Sequence, residues 1–380
     1  MSEYRICKRC VMDTSDPDIV FDEEGVCNHC KKAYRLLASE PYALPPADKQ
    51  RQLEKLAARI REEGKGKPYD CIIGVSGGAD STYAAWMVRQ CGLRPLAIHL
   101  DNGWNSRLAV TNIERILKKL EIDLFTYVID WEEFRDLQLS FLKASTPDSE
   151  VPTDHAIVAL LYRMAAKYKV KYILAGTNIA SESILPRAWS YGHSDWKYIR
   201  SLQKRFGTKK LKTFPHFNLS ALFMNIAVRK IRFISILNYT EYIKEEAVEM
   251  LSRELGWENY GGKHHESVYT QYYQACILPG KFGFDKRRAH LSSLICAGQI
   301  SRDKALEELS YPACDTKVAQ EAREYVISKF SIPAAEFDEI MQRPPKRFAD
   351  YPSYEASWYY RMFKAFYRFL GRFGIRKSDF

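Results

Sequence analysis

The sequence lacks both an export signal and a membrane-spanning run. Its N-terminus is polar, with no basic region followed by an apolar stretch, which argues against a signal peptide. The most apolar later segment, residues 219–239, is interrupted by Arg229, Lys230 and Arg232 and falls short of a spanning helix. With 46% apolar and 27% charged residues among 380, the composition indicates a well-cored globular chain of up to two domains. We therefore expect a cytoplasmic protein.

One glycine-rich stretch lacks both the G-K-[ST] ending of a P-loop and the G-x-G-x-x-G dinucleotide spacing. It reads S-G-G-A-D-S at Ser76–Ser81, between the strand-like run Cys71–Val75 and a helical pattern over Ser81–Gln90. Gly77 and Gly78 allow a tight turn and a close ligand approach, and the helix N-terminus offers unpaired N–H groups. A capped turn would explain two glycines, but the full string predicts an anion-binding loop.

Disulfides are not expected in a cytosolic chain, so the nine cysteines need another explanation. Cys7 with Cys10, and Cys27 with Cys30, form two C-x-x-C pairs at the separation usual for a zinc ribbon. Four thiolates close a tetrahedral shell, which predicts a structural zinc site. His29 is an alternative ligand, although an exposed loop histidine is the favoured interpretation. The single cysteines are interpreted as packing residues: Cys71, Cys91, Cys276, Cys296 and Cys314.

Further strand patterns follow the loop at Arg94–Trp104, Asp123–Asp130 and Lys171–Glu182, with long helical patterns between them. This alternation predicts an α/β fold with a parallel sheet and helices on both faces. Polar strand ends at 99–102 and 176–182 should then line the same edge as the loop.

The predicted organisation has three parts. Residues 1–40 form the zinc ribbon, 60–240 the α/β domain and 241–380 a helical region that contributes cations. The net charge of +10 concentrates in two segments, Lys197–Lys212 and Arg361–Lys377. The second interleaves phenylalanines with arginines at helical spacing, which would suit a membrane surface or a partner, but packing on its own domain is the commoner case.

The string Ser76–Ser81 resembles the loop of the PP-loop ATP pyrophosphatase superfamily, whose members cleave ATP between the α and β phosphates. Such an enzyme needs cations for the departing pyrophosphate, and the densest later source is the polar run 256–306. We select Lys263, Lys281, Arg287 and His290, together with Asp80 of the loop, as catalytic candidates.

The polar run 256–306 also contains strings that resemble a narrower family. It contains K-H-H-E-S at 263–267, K-F-G-x-D-x-R-x-x-H at 281–290 and G-Q-I-S-R at 298–302. Together with the cysteine pairs, these strings resemble the N-acetyl sugar amidotransferases of the WbpG type, over nearly the whole chain and weakest after about residue 330. The resemblance implies Asp80 and Glu182 as Mg²⁺ ligands. It implies an ATP site at Gly74, Val75, Ser76, Gly77, Gly78, Asp80, Ser81, Leu100, Asp101, Gly176 and Thr177.

The implied reaction is amidine synthesis in surface-polysaccharide formation, including lipopolysaccharide O-antigen. An amide oxygen of a nucleotide-linked N-acetyl sugar attacks the α-phosphate of ATP, and ammonia then displaces AMP from the O-adenylyl imidate. Acid–base residues are not assigned by spacing, although His155 and His265 are possible proton acceptors. No glutaminase domain is visible, so the resemblance implies a class I glutaminase partner, possibly joined through a cyclase-like barrel subunit, and no nucleic acid.

Two alternatives remain open. Enzymes of tRNA thiolation also join zinc ribbons to S-G-G-x-D-S loops and are basic, but they typically carry a further cysteine pair. A non-catalytic nucleotide-binding module would be expected to lose the aspartate or serine of the loop, and both are present.

Overall fold

A parallel sheet organises the protein, which we describe from a computed structural model covering residues 3–260, 266–358, 360 and 362. In this part of the chain it has five strands, in the order β3-β2-β1-β4-β5, and every neighbouring pair is parallel. Because the order reverses between β1 and β4, a crevice opens beyond their carboxyl ends. The strands are β1 (Cys71–Gly74), β2 (Pro95–Asp101), β3 (Asp123–Val128), β4 (Tyr172–Ala175) and β5 (Arg232–Ser235).

The described chain also contains fifteen α-helices, several of which continue as π-helix. The first eight are α1 (Asn28–Leu37), α2 (Pro46–Glu63), α3 (Ala79–Gln90), α4 (Arg107–Lys119), α5 (Trp131–Ala144), α6 (Val151–Lys167), α7 (Ile179–Glu182) and α8 (Trp196–Phe206). The others are α9 (Leu219–Phe223), α10 (Lys244–Met250), α11 (Val268–Tyr272), α12 (Arg287–Cys296), α13 (Arg302–Ser310), α14 (Thr316–Phe330) and α15 (Ala334–Gln342). The π-helical segments are Met224–Val228, Leu251–Leu255 and Tyr273–Phe282, and short 3₁₀ turns occupy Ile236–Tyr239 and Phe348–Asp350.

Helices cover both faces of the sheet, as the strand–helix alternation predicts. Successive strand side chains point to opposite faces. Accordingly, Ile73 packs in a buried cluster with α2, α3 and α4, whereas Ile72 packs in a second cluster with α5 and α6. Local sequence sets the helix ends: the Ser106 hydroxyl accepts the N–H of Ala109 at 3.2 Å and so caps the start of α4. The four predicted strands and the α/β class are therefore confirmed.

The C-terminal helices join the N-terminal cysteine segment to the sheet. Helix α12 contacts α1, α7 and α13, which places it between the cysteines and the carboxyl edge of β4. Arg302 of α13 donates to the carbonyl oxygens of Cys7 and Cys10, both at 3.1 Å. Across the described ranges, no helix combines the length and the apolar character that crossing a bilayer requires.

Candidate active site

The loop between β1 and α3 is a strand–loop–helix turn held by its own serines. The Ser81 hydroxyl accepts the N–H of Ser76 at 3.3 Å and donates to the carbonyl of Gly78 at 3.1 Å, and the Ser76 hydroxyl accepts the N–H of Gly78 at 3.2 Å. Gly77 has φ +85°, a left-handed conformation that disfavours any side chain. The first N–H groups of α3 lack intrahelical partners and point out of the helix start. This geometry suits a phosphate group.

Two other segments fix this loop from outside. The Trp257 indole N–H donates to the Gly77 carbonyl at 2.8 Å, and the Tyr260 hydroxyl donates to the same oxygen. On the opposite side, Gly176 at the end of β4 lies so close that a Cβ there would meet the Asp80 carbonyl oxygen at 2.5 Å. The loop is therefore rigid, and its neighbour at Gly176 must be glycine.

Asp80 is held by a tyrosine that sequence reasoning missed. The Tyr242 hydroxyl donates to Asp80 Oδ1, and Tyr242 itself is buried. Burial, followed by the Asp80 charge, raises the pKa of Tyr242 well above its usual value, so the phenol keeps its proton and remains a donor. Tyr242 thereby orients one carboxylate oxygen of Asp80.

The end of β2 lies beside the loop, as predicted. The ring Nδ1–H of His99 donates to the Val75 carbonyl at 3.0 Å, and its Nε2 accepts from Asn105 at 3.1 Å, which ties β2 to β1. Leu100 is buried, and Asp101 accepts the N–H of Gly103 at 2.9 Å. The backbone at Leu100 and Asp101 is thus ordered next to the crevice, where an adenosine contact would be made.

The end of β4 brings Glu182 to the crevice on the short helix α7. The Thr177 hydroxyl lies 2.7 Å from that of Ser235, and Asn178 caps the helix by accepting the N–H of Ser181. Glu182 is exposed, and it follows Ser181, whose carbonyl oxygen lies 3.1 Å from Nδ1 of His290.

A carboxylate cluster at the start of α6 was not predicted. The side chain of Asp154 is exposed at the surface. Desolvation by the neighbouring protein atoms, followed by the charges of Glu150 and Asp148, nevertheless raises its pKa to about 8. The ammonium of Lys286 lies 3.7 Å from Glu150 Oε2. Burial alone would lower the pKa of Lys286, but these carboxylates raise it, so the lysine stays charged. Lys286 is the cap of α12, next to the predicted Arg287.

His290, one turn further along α12, also faces this edge. Its Nδ1 lies 3.1 Å from the carbonyl oxygen of Ser181, in α7. Helix α12 thus brings Lys286 to the start of α6 and His290 to α7. Lys263, like His265, lies outside the described residues, although the segments on either side contact the loop: Tyr260 binds Gly77, and Glu266 lies beside Gly78.

Lys281 and Arg287 make their contacts within the C-terminal helices. All three donors of the Lys281 ammonium are occupied by carbonyl oxygens at the end of α15, those of Ile340, Met341 and Arg343, at 2.7–2.9 Å. Arg287 pairs with Asp285 and donates to the carbonyls of Glu308 and Tyr311. These contacts connect the C-terminal helices to one another and favour a structural role for both side chains, so their catalytic role stays an untested prediction.

His155 is a packed residue. Its Nε2 accepts the N–H of Phe217 at 3.2 Å and its Nδ1 lies 2.6 Å from the carbonyl oxygen of His193, while the Phe217 ring stacks on it at 4.4 Å. Burial lowers the pKa of His155 to about 3, so it is neutral and supports α6 from within the core. Asp154, its neighbour in sequence, is the titratable group that reaches the crevice.

The four paired cysteines meet in a buried cluster. The Sγ atoms of Cys7 and Cys30 are 3.8 Å apart, and Cys27 Sγ lies 3.7 Å from those of Cys10 and Cys30. The edge of a tetrahedron with Zn–S bonds of ~2.3 Å is about 3.8 Å, so the thiols match a tetrahedral metal site. His29 instead binds Asp16 at 2.6 Å and takes no part.

Cys296, interpreted from sequence as a packing residue, lies at this cluster. Its Sγ is 3.9 Å from that of Cys30. Because Cys296 ends α12 and Lys286 caps its start, a single helix connects the cysteine cluster to the crevice.

Fold and site together define a parallel α/β protein with an S-G-G-x-D-S turn after the central strand, at the point where the strand order reverses. The C-terminal part matches a known family. Residues 266–367 match the model described as "LPS biosynthesis protein WbpG-like, C-terminal domain", which confirms the resemblance to WbpG-type proteins.

The individual relatives have low sequence identity to this chain. An uncharacterized protein of Methanocaldococcus jannaschii is 23% identical over 328 residues, spanning 83% of this chain and 97% of that protein. Among solved structures, an NMN synthetase from Francisella tularensis is 16% identical over 60% of this chain and 91% of its own, with a TM-score of 0.30. An NH3-dependent NAD synthetase from Campylobacter jejuni is 13% identical over 78% and 98%, with a TM-score of 0.31. At these TM-scores the structural likenesses add no support, and the assignment stands on the loop, the strand order and the family match.

Proposed function

We propose that this chain is an ATP-dependent, AMP-forming amidotransferase that converts an acetamido group of a nucleotide-linked N-acetyl sugar into an acetamidino group, in surface-polysaccharide synthesis. The observation that carries the proposal is the rigid Ser76–Ser81 turn, combined in one chain with a WbpG-like C-terminal segment. The turn presents amides to a phosphate, and the segment supplies Lys286 and His290 across the crevice.

The chain's residues divide the work between binding and proton transfer. The loop amides and the α3 N-terminus orient the phosphates of ATP, so that the amide oxygen can attack the α-phosphorus in line and pyrophosphate leaves. Lys286 and His290 face the departing charge. Ammonia then adds to the imidate carbon, and AMP leaves with the former amide oxygen. Asp154 is placed to accept the proton that ammonium must lose before it can attack.

Two metals fit the residues present. Zinc suits the four thiols, whose spacing matches a closed tetrahedral site that stabilises the fold. Mg²⁺, which prefers carboxylate oxygens and phosphates, suits Asp80 and Glu182, and its charge would offset that of the phosphates.

Isotope transfer tests the reaction directly. The protein is incubated with ATP, ammonium chloride and UDP-linked N-acetyl sugars whose acetamido oxygen is ¹⁸O. We expect AMP, pyrophosphate and an amidine, with the ¹⁸O in the phosphate of AMP. An Asp80→Asn variant serves as the inactive control. Formation of ADP, or AMP without ¹⁸O, contradicts the proposal.

A tRNA thiolation enzyme is the second candidate, and one observation favours it. The thiols of Cys276 and Cys314 interact although they are distant in sequence, so the chain does bring two further cysteines together. Unmodified tRNA with a sulfur donor therefore forms a parallel arm of the same assay, and mass analysis of its nucleosides decides between the two substrates.

A further inference from the structure

A groove on α8 concentrates positive charge away from the loop. It has a volume of about 700 Å³ and runs along α8 and the following residues 207–211. None of the described residues that line it is acidic. We call it the basic groove and define it by Lys197, Arg200, Lys204, Lys209, Lys210 and Tyr354.

Helical spacing places three of these cations on one face. Lys197, Arg200 and Lys204 follow one another at i, i+3 and i+7, and so lie along a single stripe of α8. The opposite stripe is buried, with Ile199 and Leu202 fully inaccessible. The face of α8 that points outward is therefore almost uniformly cationic.

Two carboxylates near the groove, those of Asp136 and Glu133, accept hydrogen bonds from backbone N–H groups. Asp136 accepts the N–H groups of Thr208 at 2.9 Å and Lys209 at 2.8 Å, and also the Thr208 hydroxyl at 2.8 Å. Burial alone would raise the pKa of Asp136, but these donors lower it, so the carboxylate stays ionised. Glu133 accepts the N–H of Thr213 at 2.9 Å in the same way. These contacts fix the backbone of residues 208–213.

Two of the groove's cations have partners, and three have no carboxylate partner among the described residues. Lys197 donates to the Ser357 hydroxyl at 2.8 Å, and Lys209 lies 3.7 Å from Glu132. Arg200, Lys204 and Lys210 are exposed, and none of them forms an ion pair within the described ranges. Like charges gathered around a fixed groove repel one another unless an anion binds between them.

A pair of stacked rings connects the groove to the start of α6. The indole of Trp196, which lines the groove, stacks on His155 with ring centroids 5.4 Å apart. His155 follows Asp154, whose carboxylate belongs to the acidic cluster of the crevice. That cluster would repel the phosphates of a second nucleotide, so a substrate that brings its own phosphates needs cations nearby but outside the cluster.

We propose that the basic groove binds the diphosphate of a nucleoside-diphosphate ligand, and that this ligand is the nucleotide-linked sugar, a step that rests on the proposed function. Two phosphates match cations spaced along one helix face, and Arg200 can bind an oxygen pair of one phosphate through two parallel N–H donors. The volume lies within the range of small-molecule sites, roughly 300–1,000 Å³.

Calorimetric titration with uridine diphosphate, without ATP, tests the site. The groove variant is Arg200→Gln, Lys204→Gln and Lys210→Gln, and the matched control is Lys55→Gln, Lys118→Gln and Lys317→Gln, three exposed lysines elsewhere. We expect the groove variant to bind at least about tenfold more weakly and the control to stay within about twofold of the native chain. Equal binding by the groove variant overturns the proposal, and so does groove-dependent binding of a single-stranded RNA without binding of uridine diphosphate.

Steady-state kinetics show whether the groove binds the diphosphate of the sugar nucleotide or the phosphates of ATP. They also test the diphosphate site separately from the proposed amidotransferase function. If the sugar nucleotide is the ligand, the groove variant raises KM for that substrate about tenfold or more and leaves KM for ATP unchanged. A rise in KM for ATP alone assigns the groove to ATP and overturns the sugar assignment. Groove-dependent diphosphate binding without any amidine product leaves the diphosphate site standing while the proposed function fails.

Discussion

At the scale of single residues, the site combines groups that local sequence reveals with groups that only the fold brings together. Ser76, Gly77 and Asp80 follow one another in the chain, so their pattern alone predicts a loop for an anion. Tyr242 and Asp154 carry no such pattern. Tyr242 reaches Asp80 from 162 positions away, and Asp154 acquires its raised pKa from desolvation in the folded protein, followed by the charges of Glu150 and Asp148. A lone tyrosine or aspartate in a helical stretch gives no sequence signal for either role.

Asp154 leads to a pH prediction. Its pKa of about 8 means that it holds a proton at neutral pH and becomes a base only above that value. With the ammonium ion concentration held constant, we expect the rate of amidine formation in the native chain to rise up to about pH 8 and to level off above it. The rate of Asp154→Asn should be lower and should follow the free ammonia concentration, without levelling off at about pH 8.

Protein stability supplies an independent readout for Asp154. Its pKa in the unfolded chain is about 3.9, so between about pH 4 and the folded value the folded state keeps a proton that the unfolded state releases. This contribution to the free energy of unfolding therefore falls as pH rises through that window, and Asp154→Asn should remove the fall. Identical pH profiles of rate and stability in the two proteins would contradict the assignment.

Tyr242 leads to a second prediction at this scale. Tyr242→Phe keeps the buried ring but removes the hydroxyl that orients Asp80. Because a hydrogen bond to a charged group contributes about 1.5–3 kcal/mol, kcat/KM for AMP formation should fall by about tenfold or more. Tyr311→Phe, at an exposed tyrosine, is the control. The melting temperature of both variants checks the fold, and an unchanged kcat/KM in Tyr242→Phe would show that Asp80 needs no such support.

At the scale of elements, the predicted strands succeeded where apolar runs ended in polar residues. Strand β5 (Arg232–Ser235) was missed because it lies inside an apolar segment that Arg229, Lys230 and Arg232 interrupt. The helices formed by the cationic run after residue 256 carry its charged side chains to different parts of the molecule. Helix α12 carries Lys286 and His290 to the crevice, whereas Lys281 joins the π-helix Tyr273–Phe282 to the end of α15. Sequence spacing could not separate these roles, since the partners of Lys281 lie about 60 positions away.

The contacts of Lys281 can be tested against a catalytic role. Lys281→Met keeps the apolar stem but leaves three partly buried carbonyl oxygens at the end of α15 without their donor. We expect the free energy of unfolding to fall by about 1–3 kcal/mol, measured by urea denaturation. At temperatures where the variant is folded, kcat/KM for AMP formation should stay within about twofold. A large loss of activity without a loss of stability would restore Lys281 to the catalytic residues.

At the scale of the whole molecule, α12 connects the cysteine cluster to the crevice in which the proposed reaction takes place. Cys296 at its end lies beside Cys30, Arg302 binds the carbonyls of Cys7 and Cys10, and Lys286 stands at its start. The cysteine cluster therefore supports the crevice indirectly, through helix α12. The two C-x-x-C pairs were predictable because the cysteines of each pair are close in sequence. The contact of the cysteine cluster with α12 was not, because it joins residues that are separated by most of the chain.

Zinc loss should consequently affect folding and activity together. We expect about one zinc per purified chain, and Cys10→Ser should reduce both zinc content and melting temperature, because ligand binding contributes folding free energy. Cys91→Ser, at a cysteine outside the cluster, should change neither. Metal analysis by mass spectrometry and thermal denaturation supply the measurements. Freshly purified protein without zinc would refute the site.

Nitrogen supply gives the last prediction. Free ammonia is mostly protonated near neutral pH, and an imidate adenylate open to water would hydrolyse to the amide, so efficient turnover needs ammonia delivered along a protected path. We expect the isolated chain to form amidine with high ammonium at elevated pH but not with glutamine. Adding a class I glutaminase, with or without a cyclase-like barrel subunit, should confer glutamine dependence. Product formation is followed with ¹⁵N-amide glutamine, so that nitrogen from the partner is distinguished from free ammonium. Efficient turnover of glutamine by the chain alone would show that the ammonia source lies within it.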